Sequence, residues 1–140
     1  MTKAETFIEA WRLAAREEDF SLVDKIYHPD YSSFDYIAGV EVNLESDKQV
    51  ILTLRHEIKA TIPTIVSESD NFLQLHRYSR YINADIFNSA TTSIHYKDGK
   101  IINQETVIEE LECDPSEGQD WNWDCLLYTS DRCRRIERCR

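Results

Sequence analysis

The chain has 140 residues, 41% of them hydrophobic and 11% aromatic, enough for one domain with a single apolar core. Its formal net charge of -10 argues against nucleic acid as a partner, because phosphate binding needs a basic face. No run of about 18 apolar residues offers a membrane span. The start "MTKAETFIEAW" lacks the basic-then-apolar order of a signal peptide, so the expected location is cytoplasmic.

In "AETFIEAWRLAAREED", Phe7, Ile8, Trp11 and Ala14/Ala15 recur at helical spacing and predict an amphipathic helix. Asp19 is placed to cap a short second helix, "FSLVDKIY", with Phe20, Val23 and Tyr27 on one side. Pro29 stops it, since proline lacks an N–H and pushes His28 out of helical geometry. "DYSSFDYI" reads as a short strand and "AGVEVNLE" as a loop. Ser46 with Gln49 three residues later forms a capping box that opens a third helix, "DKQVILTLRHEIKA". Pro63 lies in the exit, and "TIVSES" is a strand with proline before it.

Three longer strands follow: "FLQLHRYSRYI", "IFNSATTSIHYK" and "KIINQETVIEELE". Asp98-Gly99 joins the last two as a hairpin, because a type I′ turn needs φ > 0 at both central residues. "DPSEGQDWNWD" is a loose end. This order predicts an α+β domain over residues 1–114. A curved antiparallel sheet wraps around three N-terminal helices and leaves a cone-shaped pocket.

The tail "CLLYTSDRCRRIERCR" differs in composition from the rest: it holds three of the four cysteines and five of the 16 basic residues. It resembles a translated transposon-end adapter of the kind used in sequencing libraries. Residues 125–140 are therefore expected to be non-native, after a loose segment at 115–124. Without the tail, 11 basic and 24 acidic residues would remain, a net charge of -13. Cys113 would be the single cysteine, which forbids an intrachain disulfide.

The segment "FIEAWRLAAREEDFSLVDKIYHPDYSSFD", the capped third helix and "YKDGKIINQETV" together resemble the SnoaL-like domains of the nuclear transport factor 2-like superfamily. The likeness runs from about Ala4 to Glu112. The resemblance implies a small-molecule pocket in a superfamily that includes ketosteroid isomerases, polyketide cyclases, dehydratases, epoxide hydrolases and non-catalytic binding domains.

The resemblance also puts forward site residues. Asp35 matches the carboxylate that shuttles a proton in the isomerases; desolvation in a pocket would raise its pKa toward that of a useful base. Alternatively, Asp35 is exposed or caps a turn near Gly39. Asp30, after Pro29, reads as structural. The isomerase tyrosine on the first helix is matched by Trp11, and its second donor falls near Thr92, so ketosteroid isomerase activity itself is not expected. Related hydrolases place a carboxylate near Thr106, but here the acid is Glu105, one residue earlier and turned to the other face.

His76 and Tyr78 share one strand face with Gln74 and Arg80; that face suits either a wet cavity or a dimer surface. Tyr27, His76, Tyr78, Thr92 and Thr106 join Trp11 as candidate substrate-binding residues. No metal-ligand spacing, phosphate loop or nucleophile elbow is present in the sequence, so neither a metal nor a cofactor is expected. Two functions follow. One is a cofactor-free isomerase, cyclase or lyase acting on a hydrophobic carbonyl compound; the other is a non-catalytic binding module. The resemblance also implies a homodimer through the sheet.

Overall fold

In the computed structural model, the described residues are 1–35, 39–121 and 123, with Asp35 described by its backbone alone. The tail at 125–140 lies outside them. Helix α1 (Lys3–Glu17) starts at a capping box: the Thr2 hydroxyl accepts from the Glu5 N–H at 3.1 Å, and the Glu5 carboxylate accepts from the Thr2 N–H at 2.8 Å. It ends where Glu18 turns left-handed, at φ 55°. Helix α2 (Ser21–Ile26) follows at once. Its N-cap is Phe20, without a side-chain cap bond, rather than the predicted Asp19; one residue earlier, Asp19 Oδ1 accepts from the Ser21 N–H at 3.0 Å and the Ser21 hydroxyl at 2.7 Å.

Strand β1 (Tyr27–Asp35) begins earlier than the sequence predicts, directly at the end of α2. Pro29 sits inside it, where the register to its neighbour shifts between Tyr27 and Ser32. A bulge there needs no ladder donor, so proline is tolerated. Residues expected to form a loop contain β2 (Val40–Val42), paired antiparallel to β1 with Ser33 opposite Val42.

Helix α3 spans Leu44–Leu54. Its cap is Asn43, whose side-chain oxygen accepts from the Ser46 N–H at 3.0 Å, rather than the predicted Ser46–Gln49 box. The helix also stops short of the expected "HEIKA". Ile58–Ala60 instead form β3, paired with the end of β5, because burying Ala60 against the sheet outweighs continuing a helix into solvent.

Strands β4 (Thr64–Ser69), β5 (Phe72–Tyr81), β6 (Phe87–Lys97) and β7 (Lys100–Leu111) form the predicted meander. Asp98 and Gly99, at φ 54° and 79°, turn β6 into β7 with Lys97 opposite Lys100. The sheet order is β2-β1-β7-β6-β5-β3, with β4 on the remaining length of β5. One pair departs from the antiparallel expectation: β1 runs parallel to β7. A parallel neighbour requires a long crossover, and α3 with the meander supplies it.

Alternation along the strands sorts the two faces. Leu73, Leu75 and Ile94, with Ile101 beyond a register shift on β7, point into the cone and are buried. They pack against Ala4, Phe7, Ala10 and Ala14 of α1 and Val23 of α2. The small alanines let α1 approach the sheet closely at its N-terminal and central turns.

Candidate functional site

Between α1, α3 and the inner face of the sheet lies a half-open cavity of about 200 Å³. That is slightly more than the roughly 150 Å³ known to admit benzene in an apolar protein core. Phe7, Ile8 and Trp11 line it from α1, since positions i, i+1 and i+4 share one helix side. Asp47, Val50, Ile51 and Leu54 line it from α3 at spacing i, i+3, i+4, i+7. Arg77 of β5, Thr92 of β6, and Gln104 and Thr106 of β7 complete the sheet wall. Thr92 stands opposite Thr106, and Ile94 opposite Gln104, in the β6–β7 register.

Two hydrogen-bond chains run to this wall. In the first, Trp11 Nε1–H donates to Tyr27 Oη at 3.0 Å, and Tyr27 Oη donates to Gln104 Oε1 at 2.6 Å. Indole nitrogen is donor-only. Tyr27 is 4% exposed, so its own proton requires an acceptor, and Gln104 Oε1 is that acceptor. This orients the Gln104 amide and leaves its NH₂ as the end of the chain. In the second, Tyr31 Oη donates to Asp47 Oδ2 at 2.8 Å. Burial pushes the Asp47 carboxyl above its ordinary value; the bond from Tyr31 offsets part of that. Burial and the Asp47 charge together push the Tyr31 phenol far up, so it stays protonated as the donor.

The rings of Tyr27 and Tyr31 meet edge to face with centroids 4.7 Å apart. They also line a second, more open groove, edged by Asp24, His28, Asn43 and Lys100. Arg55, at the cavity rim, is tied to the Ala15 carbonyl at 3.1 Å and Glu18 at 3.0 Å.

The sequence-derived candidates divide. Trp11, Thr92 and Thr106 line the cavity, and Tyr27 lies just beneath it. The Trp11 N–H is spent on Tyr27, and the Thr92 and Thr106 hydroxyls bond each other at 2.9 Å. His76 and Tyr78 do not line it. They stand on the outer face, where His76 Nε2 meets Ser89 Oγ at 2.7 Å and Tyr78 stacks on Trp121 at 6.2 Å. The physical reason is parity: Leu75 and Arg77 turn inward, so their neighbours turn out. The side chain of Asp35 lies outside the described residues; its backbone pairs with Val40.

Asp47 was missed by sequence reading. The available signal was an acid on the apolar stripe of α3, in register with Val50, Ile51 and Leu54. Among the described residues, no group of three His, Cys, Asp or Glu is placed to hold a metal, and no helix is long and apolar enough to cross a membrane.

The segment after β7 is pinned to the outer face. Asp114 Oδ1 accepts from Trp123 Nε1 at 2.9 Å and from the N–H and hydroxyl of Ser116, and buried Trp123 packs near Phe87. Burial works against ionisation of Asp114, but these bonds outweigh it and lower its pKa.

No family model and no curated protein matches the chain in sequence. Solved structures do match it in shape. IdmH of Streptomyces antibioticus, a proposed polyketide cyclase, superposes with a TM-score of 0.58 at 16% identity, over 77% of this chain and 93% of that one. A steroid delta-isomerase from Pseudomonas aeruginosa gives 0.58 at 15% identity, over 78% and 81%. An NTF2-like protein of unknown function from Cytophaga hutchinsonii gives 0.57 at 12% identity, over 78% and 92%. Three helices cradled by a curved, unclosed sheet of seven strands, in this order and around this cavity, give the chain the nuclear transport factor 2-like fold.

Proposed function

We propose that the cone binds a compact, largely apolar small molecule bearing a carbonyl or hydroxyl group, and that the chain is a proton-transfer enzyme of the isomerase, cyclase or lyase type. The observation that carries this is the cavity itself: an apolar lining from Phe7, Ile8, Trp11, Ile51 and Leu54, interrupted by a few polar groups, which is the composition of a small-molecule site. The shape likeness to a steroid isomerase and a proposed polyketide cyclase supports the same class. Asp35 is the carboxylate that the family resemblance offers as base. Thr92 and Thr106 would contact the ligand from the sheet; Trp11 would pack on it.

Calorimetric titration with 2-naphthol, a two-ring phenol of suitable size, is expected to show one site per chain. Ile51→Trp, which fills the cavity from α3, should abolish it. Binding undiminished in that variant places the ligand elsewhere and rejects the reading.

A second reading, a module that associates through its sheet, is favoured by the outer face: His76 and Tyr78 share it with Val107, which is 56% exposed and stands one strand beyond Thr91. Light scattering is expected to give twice the monomer mass, and Val107→Lys to restore the monomer. A monomeric mass for the unmodified chain up to high concentration rejects the homodimer.

A further inference from the structure

The two hydrogen-bond chains end in opposite chemistry on one cavity. The Trp11–Tyr27–Gln104 chain ends in a donor, the Gln104 NH₂. The Tyr31–Asp47 chain ends in an acceptor, Asp47 Oδ1. Both residues line the cavity, Asp47 from α3 and Gln104 from β7. Among the described residues, neither terminal atom has a protein hydrogen-bond partner. Both side chains are held by a buried tyrosine, so the termini are positioned before any ligand arrives.

We propose that Asp47 and Gln104 are the working pair of this cavity, acting on a compact cyclic ketone: Asp47 Oδ1 takes the proton from the carbon beside the carbonyl, and Gln104 Nε2–H holds the carbonyl oxygen as it becomes negative. The C–H electron pair becomes the C=C bond of the enolate, and the carbonyl π pair moves to oxygen. Asp47 then returns a proton to the same carbon or a conjugated one, and exchange of its acid proton with solvent through the half-open cavity in between puts deuterium on that carbon. Atoms and charge balance without a co-reactant. The Arg55 and Arg77 guanidinium groups lie on the same lining. Tyr31 and Tyr27 are positioning residues.

This inference rests on the cavity being the ligand site, so its test separates the two. The full chain is incubated with 2-tetralone in D₂O, and loss of the α-proton signal is followed by NMR. Binding of 2-naphthol, an aromatic analogue of the enol, is measured alongside. Asp47→Asn is expected to slow exchange by about 100-fold or more while 2-naphthol affinity stays within about threefold. Gln104→Leu should slow exchange by about 100-fold and weaken 2-naphthol as well. Circular dichroism melting confirms that each variant is folded.

Exchange that survives in Asp47→Asn but vanishes in Asp35→Asn overturns the assignment and leaves the binding reading intact. Exchange unaffected by both Asp47→Asn and Gln104→Leu overturns it too. An unmodified chain that neither binds 2-naphthol nor catalyses exchange overturns both readings.

Discussion

Ile94→Ala is expected to lower the unfolding free energy by about 3 kcal/mol, within the range for a buried isoleucine cut to alanine. Ile94 is 0% exposed and stands opposite Leu73, also 0%, in the β5–β6 pairing. Three carbons would vanish from a site walled by strands on both sides, and backbone ladders do not collapse to refill it. A protein of this size has only about 5–15 kcal/mol to lose. The melting temperature should fall by about 10 °C, measured by calorimetry. Leu73→Ala should cost a similar amount, and the double variant should cost less than the sum, because both cavities open into one space. A shift of less than about 1 kcal/mol for Ile94→Ala would mean that the β5–β6 core is not packed as described.

Tyr27→Phe carries the second large effect. The hydroxyl satisfies two groups at once, accepting from Trp11 Nε1 and donating to Gln104 Oε1. Its loss leaves an indole N–H and an amide oxygen unpaired at a desolvated site, a cost of about 2 kcal/mol. The ring itself stays, so the volume term is small. The readout goes further than stability. With no phenol to fix it, the Gln104 amide can turn over, and affinity for 2-naphthol should drop along with the melting temperature. Tyr31→Phe provides the contrast: it frees the partly exposed Asp47, which can meet water, so its stability cost should be smaller. Equal stability of Tyr27→Phe and the unmodified chain would remove the first hydrogen-bond chain from the account.

The long elements were legible because each carries a local signal. Alternation in "FLQLHRYSRY" and "FNSATTSIHYK", the Asp98-Gly99 turn and the 3.6-residue stripe of α1 all act between near neighbours. The short strands β2 and β3 were not legible. Three residues such as "VEV" or "IKA" have no period of their own; they extend because a neighbouring strand offers unpaired backbone groups. The α3 cap was misplaced by three residues for a related reason. Ser46–Gln49 fits the pattern, but Asn43 stands where the chain leaves β2 and satisfies the first turn instead.

The site divides along the same line. The family resemblance brought forward Trp11, Thr92 and Thr106 by matching them to site positions of related enzymes, and each does lie on the cavity wall. Parity of alternation placed His76 and Tyr78 together on one face of β5. Which face looks inward depends on where α1 lands, and that is a packing decision made by Ala10, Ala14, Leu73 and Leu75 together. Asp47 and Gln104 are 57 positions apart in the chain, and each looks ordinary alone: one is an acid in the first turns of a helix, the other an amide on a strand. The sequence by itself determined the order of the long elements, the hairpin and hence the fold class. Only the tertiary structure decided which polar groups are spent on each other and which are left facing the cavity. Hydrogen-bond satisfaction is a count over neighbours in space, and sequence distance does not report it.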